Sequence, residues 1–295
     1  MTQQKIGFIG LGLMGAAMVD RLLDKGYELT VMGNKSRPRI DKAISRGAVE
    51  AASAKDLAEK SDIIMLCMDT SQSVESRMFG DDGVLAGLKE GSVVIDFGTS
   101  LPSSTKMLGD KVAEKGGQYL DGPLGRTPSH ALEGKLNIMT SGDEAAFNSI
   151  KSVLEDLGEN VFFLGELATG HTIKLINNFF AMTTASAMSE AFAIADKAGV
   201  DRQKVYDVMS AGPVHSMMMD FVKAFAIDGN PENLAFAIKN ASKDVGYYGQ
   251  MADDLGVESI MSQSARTALT SAIDAGMSDN LVPEMVSFFE KKFSD

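Results

Sequence analysis

Two stretches of this chain hold residue types that could do chemistry. The first is Gly10-Leu11-Gly12-Leu13-Met14-Gly15, a Gly-x-Gly-x-x-Gly run. It follows a short apolar stretch, Lys5–Ile9, and precedes a helical pattern of Ala16, Ala17, Met18, Leu22 and Leu23 that stops at Gly26. Strand, glycine turn and helix form the context in which this pattern cradles a dinucleotide pyrophosphate. Gly10 would permit the tight turn, Gly12 a close approach of backbone to phosphate, and Gly15 close packing of helix on strand. The helix N-terminus adds free N–H groups and a positive dipole end. The second stretch is Lys174, Asn177 and Asn178; Lys174 and Asn178, four residues apart, share a helix face. An amine and an amide at an otherwise apolar helix start are costly to bury unless they meet something polar. Read alone, these residues favour the plainer reading, in which Lys174 lays its stem along the surface and the two amides cap nearby backbone.

The elements that must position these residues come next. Between Gly170 and Gly199 there is no Gly and no Pro, so the stretch Ala168 to Gly199 predicts one helix of roughly 40 Å. Its apolar residues, among them Ile176, Phe179, Phe180, Met182, Met188, Phe192 and Ile194, do not keep to one stripe. Such a helix is expected to be covered on several faces, as a spine between two domains. Before it, apolar runs at Glu28–Met32, Asp62–Cys67, Ser92–Asp96, Gly117–Asp121, Leu136–Ser141 and Asn160–Phe163 read as strands. Ser103–Lys115 and Glu144–Leu157, the latter capped by Asp143, read as helices between them. Alternation of this kind implies parallel βαβ units. After Gly199 every signal is helical: Asp201–Ala211, Val214–Ala224, Lys239–Leu255, Ile260–Ala275 and Pro283–Phe293. The expected fold class is α/β: a Rossmann-type doubly wound sheet domain over 1–165, then a long interdomain helix and an all-α C-terminal domain over 166–295. Ligands of such sheets lie at the carboxyl ends of the strands. That rule brings forward Met68-Asp69-Thr70, Gly98-Thr99-Ser100 and the loop after Asp121.

The residues after Met32 bear on cofactor choice. A site for NAD would place Asp or Glu there; this chain has Gly33-Asn34-Lys35-Ser36-Arg37-Pro38-Arg39. Lys35, Arg37 and Arg39 could hold a 2′-phosphate through charge-assisted hydrogen bonds, whereas Asn34 or Ser36 could serve ribose hydroxyls. NADP is therefore favoured, with NAD possible, and a merely solvated basic turn is the plainer alternative. Bulk properties exclude other classes. A charge of −12, from 28 basic and 40 acidic residues, makes nucleic acid and anionic membrane poor partners. No long apolar run predicts a membrane span. One cysteine, Cys67, leaves no internal disulfide framework. The N-terminus runs into a strand without a signal-peptide pattern, so a cytoplasmic setting is expected. His130, His171 and His215 show no metal-ligand spacing, no metal is expected, and His171 reads as structural.

Four blocks in order, GFIGLGLMGAAM, DGPLGRTPSHALEGKLNIM, GHTIKLINN and FAIKNASKDVG, span essentially the whole chain. Together they resemble the β-hydroxyacid dehydrogenases, the family of 3-hydroxyisobutyrate dehydrogenases and tartronate semialdehyde reductases. The resemblance implies hydride transfer between a nicotinamide cofactor and a small 3-hydroxyacid or semialdehyde bearing an anionic group. It makes Lys174 the general acid/base and Asn178 a substrate contact. It places Thr99 at the nicotinamide end, Lys243 on the cofactor, and Leu13, Met14 and Met68 among the cofactor contacts. A homodimer or homotetramer, joined through the C-terminal domain, is implied as well. Where the family carries Ser-Gly-Gly in the substrate loop, this chain has Gly125, Arg126 and Thr127. That variant is similar to the loop of sulfolactaldehyde reductases, in which it helps to bind a sulfonate. Arg126 brings a permanent forked charge and Thr127 a hydroxyl; the alternative is that Arg126 pairs with a local carboxylate such as Glu133. A catalytically silent dinucleotide sensor or scaffold is the other class of reading, but it would have no need of Lys174.

Overall fold

The computed structural model describes residues 4–33 and 37–294. The chain divides into two compact units, Met1–Lys174 and Leu175–Asp295. The first begins β1 (Ile6–Ile9), α1 (Leu13–Asp24), β2 (Leu29–Met32), α2 (Arg37–Ser45), β3 (Val49–Glu50), α3 (Ala54–Lys60) and β4 (Ile63–Leu66). It continues α4 (Ser71–Met78), α5 (Val84–Gly87), β5 (Val93–Asp96), α6 (Pro102–Ala113) and β6 (Gln118–Asp121). Then come β7 (Leu124–Gly125), α7 (Pro128–Glu133), β8 (Leu136–Gly142), α8 (Glu144–Leu157) and β9 (Gly158–Phe163).

The strands form one sheet in the order β3-β2-β1-β4-β5-β6-β8-β7, with β9 beside β8. From β3 to β6 all pairings are parallel. The register is what builds a site. Met32, Ile9, Leu66, Asp96 and Asp121 end side by side along one edge of the sheet, so the loops that follow them meet there. Strands buried on both faces read as unbroken apolar runs. Alternate residues of β4 go to opposite cores: Ile63 and Met65 join Met18 and Leu22 of α1, while Ile64 and Leu66 join Leu57 of α3 and Leu108 of α6.

One expectation fails here. Strand β8 runs antiparallel to β6 and to β7. A parallel return needs a crossover of a dozen residues or more, whereas β7 and β8 are joined only through short α7 and Gly134 in the left-handed conformation. The basic stretch after Met32 is also not simply a turn, because α2 opens at Arg37.

Helix α9 (Thr169–Lys197) starts in the first unit and runs on through the second, which adds α10 (Arg202–Ser210), α11 (Met217–Ala226), α12 (Ile238–Asp254), α13 (Ile260–Asp274) and α14 (Met285–Ser294). Met182, Ala185, Met188 and Phe192 of α9 pack with Val222, Val245, Leu269 and Val286 in one core. Coverage on several faces is not achieved: Ile176, Phe180 and Ile194 remain 49%, 72% and 52% exposed. No helix among the described residues is long and apolar enough to cross a membrane.

Candidate active site

The glycine turn after β1 is built as its spacing requires. Gly10 has φ +100°, and a Cβ there would lie 2.3 Å from the Cys67 carbonyl oxygen. A Cβ on Gly15 would lie 2.0 Å from the carbonyl oxygen of Gly10. Gly12 caps α1 with no side-chain bond, the first turn holds no acid, and a Cβ on Gly12 would meet nothing within 4 Å. The start of α1 thus offers first-turn N–H groups with no side-chain cap, beside exposed Leu13 and half-buried Met14, which suits a diphosphate. The Met68 sulfur lies 3.0 Å from the Cβ position of Gly10, and the Met68 carbonyl oxygen 2.8 Å from that of Gly98. Gly10, Met68 and the Gly98-Thr99-Ser100 turn therefore adjoin at the ends of β1, β4 and β5. Beyond β2 a cavity of about 430 Å³ is lined by Met32, Ser53, Arg77, Phe79 and the Gly80–Gly83 turn. No motif announced Ser53, Arg77 or Phe79, because they reach it from separate loops. Burial, then the carboxylates of Asp96 and Asp69, push the Cys67 thiol up to about 12, so it is no nucleophile near neutrality.

Of the residues read as serving the adenosine end, Asn34, Lys35 and Ser36 lie outside the described residues, and Arg39 sits half-buried in α2. Arg37 has other partners: Nη1 donates to Glu50 at 2.5 Å and Nη2 to Asp41 at 2.7 Å. The reason is local. Opening α2 at Arg37 sets Asp41 one turn on, and β3 brings up Glu50.

The start of α9 is fastened to the carboxyl edge of the sheet. Asp121 Oδ1 accepts from the Ala168 N–H at 2.8 Å and from the Ser141 hydroxyl, and its Oδ2 accepts from the His171 N–H at 2.7 Å. The Ser141 oxygen accepts from the Gly170 N–H at 2.9 Å. Three N–H groups at the helix start are so satisfied by side chains of β6 and β8, and a carboxylate sits at the positive end of the dipole. Asp96, at the end of β5, holds the next turn: Oδ1 accepts from the Gly98 N–H at 2.8 Å and Oδ2 from the Ser100 hydroxyl at 2.7 Å. The His171 ring, fully buried, has Nδ1 2.7 Å from Thr105 Oγ1 and Nε2 3.8 Å from Asp96 Oδ2. Lys174, half-buried, follows one helical turn later as the last residue of the first unit. Sequence reasoning passed over Asp96 and Asp121 as residues in their own right. Their position at strand ends was the available signal.

In the substrate-type loop, Arg126 is held at φ +76°, a conformation that favours glycine. Its Nη1 donates to Glu159 at 2.5 Å and to the Lys135 carbonyl at 2.7 Å. A local carboxylate does answer it, but this is Glu159 on β9, since Glu133 is bonded to Lys135. Thr127 Oγ1 lies 2.7 Å from both Ser129 Oγ and His130 Nδ1. Gly125, in β7, packs against Asn137. In the second unit, Asn178 Nδ2 donates to Asp244 Oδ2 at 2.6 Å, and Lys243 Nζ lies 3.0 Å from Asp244 Oδ1. Asn178 and Lys243 thus converge on one buried carboxylate, with Lys243 also 5.3 Å above the Tyr247 ring.

A sheet in the order 3-2-1-4-5-6, with an uncapped glycine turn at its switch point, is a dinucleotide-binding Rossmann fold. Residues 5–165 match the family described as the NAD binding domain of 6-phosphogluconate dehydrogenase, and residues 168–289 that of NADP-dependent 3-hydroxyisobutyrate dehydrogenase. The chain is 36% identical to 2-hydroxy-3-oxopropionate reductase of Escherichia coli over 73% of each chain. It is 28% identical to glyoxylate/succinic semialdehyde reductase 1 of Arabidopsis thaliana over 96% of this chain and 99% of that one. A crystal structure of 3-hydroxyisobutyrate dehydrogenase from Salmonella typhimurium superposes with TM-score 0.82 at 26% identity, over 97% of this chain and all of that one. The chain belongs to the β-hydroxyacid dehydrogenase family of NAD(P)-dependent oxidoreductases.

Proposed function

We propose that this protein interconverts a small anionic semialdehyde and the matching 3-hydroxyacid, with NADP favoured over NAD and Lys174 as general acid/base. The observation that carries the reading is the half-buried lysine one turn past a helix start that Asp121 and Ser141 fasten to the nucleotide edge of the sheet. The nicotinamide dinucleotide supplies the hydride in one direction and accepts it in the other. Lys174 gives the substrate oxygen its proton on reduction and removes it on oxidation. Gly10, Gly12, Leu13, Met14 and Gly15 hold the diphosphate on the first turn of α1, Met68 and Thr99 border the nicotinamide, and Lys243 reaches the cofactor. Asn34, Lys35, Ser36 and Arg37 serve the adenosine end. For Arg37 this means exchanging Glu50 and Asp41 for a phosphate. Gly125, Arg126, Thr127 and Asn178 hold the substrate. The division of labour is a dinucleotide domain over 1–165 and a helix with an all-α substrate and dimer domain over 166–295. Substrate candidates are 2-hydroxy-3-oxopropionate, as named for the Escherichia coli relative, the semialdehyde of 3-hydroxyisobutyrate, and sulfolactaldehyde, for which Arg126 and Thr127 offer donors.

The test is a spectrophotometric screen of these aldehydes with NADPH and with NADH. One anionic semialdehyde should be reduced with a kcat/KM at least about tenfold higher for NADPH, since a charged hydrogen bond to a 2′-phosphate contributes about 1.5–3 kcal/mol. Lys174→Ala should lose about 10²–10⁴ in kcat and keep its NADPH affinity. Retention of half of kcat would remove Lys174 from the mechanism, and a preference for NADH would move the adenosine contacts to Asn34 and Ser36.

A further inference from the structure

His171 carries an unused edge. Its ring is fully buried and its Nδ1 side is bonded to Thr105 of α6, but Nε2 has no hydrogen-bond partner. A residue present only to fill this space would do better as an apolar side chain, because an unpartnered buried ring nitrogen destabilises the fold. What Nε2 faces is Asp96 Oδ2 at 3.8 Å, about 1 Å beyond hydrogen-bond length. Asp96 is the residue whose two oxygens hold Gly98 and Ser100 on either side of Thr99. The other charged group facing the imidazole is Asp121, 3.9 Å from Nδ1, and the buried Tyr119 hydroxyl stands near both carboxylates. On α9, His171 precedes Lys174 by three residues and so shares its face.

We propose that His171 is a positioning residue: through its Nε2 edge and Asp96 it sets the turn bearing Thr99 against the helix turn bearing Lys174. The inference rests on the acid/base reading of Lys174 and deepens it. His171 meets both arms of the arrangement. Its main chain is tied to Asp121, which fixes the helix start, and its ring looks at Asp96, which fixes the turn. With the ring proton on Nε2 and Nδ1 accepting from the Thr105 hydroxyl, a small movement of either arm converts the 3.8 Å approach into a hydrogen bond donated to Asp96 and draws the two together.

Three variants separate the ring edges. His171→Leu removes both, His171→Asn keeps an amide at the Nδ1 place beside Thr105, and His171→Gln puts one at the Nε2 place toward Asp96. His171→Leu should bind NADPH within about threefold of wild type and lose at least about tenfold in kcat, with KM changed less than about threefold. His171→Gln should recover to within about threefold of the wild-type kcat, and His171→Asn should not. A readout free of turnover is the ring NMR signal of His171 among the three histidines of the chain, which should move on adding NADP+ more than those of His130 and His215. A silent His171 signal overturns the proposal. So does a His171→Leu variant within about twofold of wild-type kcat, or a loss of kcat that follows thermal stability equally in all three variants. Lys174→Ala, run alongside, keeps the two readings apart. If Lys174→Ala is inactive and His171→Leu is not impaired, only the His171 proposal falls; if Lys174→Ala is active, the acid/base reading falls and takes this one with it.

Discussion

Among the described residues, Arg126, in the substrate-type loop, and Ala168, at the start of α9, are the non-glycine residues with positive φ. Holding a side chain in that region costs about 1–2 kcal/mol, which the surroundings must offset. At Arg126 two effects oppose each other. Arg126→Gly relieves the backbone but gives up a partly exposed ion pair with Glu159, worth about 0–1 kcal/mol. The net change in stability should stay within about 1 kcal/mol by urea unfolding. Its kinetic effect should be larger: KM for an anionic semialdehyde rises at least about tenfold, while an uncharged aldehyde of equal size hardly notices. Equal losses on the two substrates would make Arg126 a loop-holding residue. Glu159→Gln gives the opposite sign, because it releases Nη1 from its competing carboxylate and should lower KM for the anion.

Two carboxylates tie elements of the first unit together, Asp121 at the start of α9 and Asp156 at the C-terminal ends of α1 and α8. Asp121 gathers donors from the start of α9 and from β8. Asp121→Asn replaces one accepting oxygen by an NH2 group that confronts another donor. That should cost about 1–3 kcal/mol, read as a lower urea midpoint with an unchanged slope. Asp156 joins the end of α8 to that of α1, where Tyr27 donates to it at 2.8 Å and Lys25 lies 2.6 Å away. Burial pushes its carboxyl up, but the bonds from Lys25 and Tyr27 and the charge of Arg21 outweigh burial and leave it below the ordinary carboxylate range. A carboxyl depressed in the folded state contributes stability that is complete above its unfolded pKa, about 4, and is lost as pH falls through the folded value. Asp156→Asn should therefore lower thermal stability at neutral pH and flatten its decline below about pH 4. An unchanged acid limb would show that other carboxylates govern it.

For the whole molecule, the exposed side of α9 bears on assembly. Ile176, Phe180, Ala187 and Ile194 recur at helical spacing along roughly 27 Å of helix and are exposed in the single chain. These exposed apolar side chains suit the same face of a second copy, which we propose as the contact of the homodimer or homotetramer that the family resemblance implies. Phe180→Glu should shift light-scattering mass toward the monomer without changing the far-ultraviolet helix signal. A mass unchanged from wild type would place the contacts elsewhere.

What the sequence determined by itself is what short-range chemistry determines. The Gly-x-Gly-x-x-Gly turn is legible because three glycines within six residues answer three nearby steric demands. The long helix is legible because nothing between Gly170 and Gly199 can break it, and Glu144–Leu157 because Asp143 caps it. Lys174 and Asn178 share a face by helical geometry alone. The rest depended on partners distant along the chain. The direction of β8 followed from the short connection through α7. Arg37 met Glu50 and Arg126 met Glu159 only once strands had been placed beside them. Asp121 reached the N–H of His171 across fifty residues, and His171, plain as a sequence position, acquired its unpartnered edge from Asp96 at the end of another strand. Helical and turn propensities act over a few bonds and can be read in order. Hydrogen bonds and ion pairs between strand ends exist only after the register of the sheet has brought those ends together.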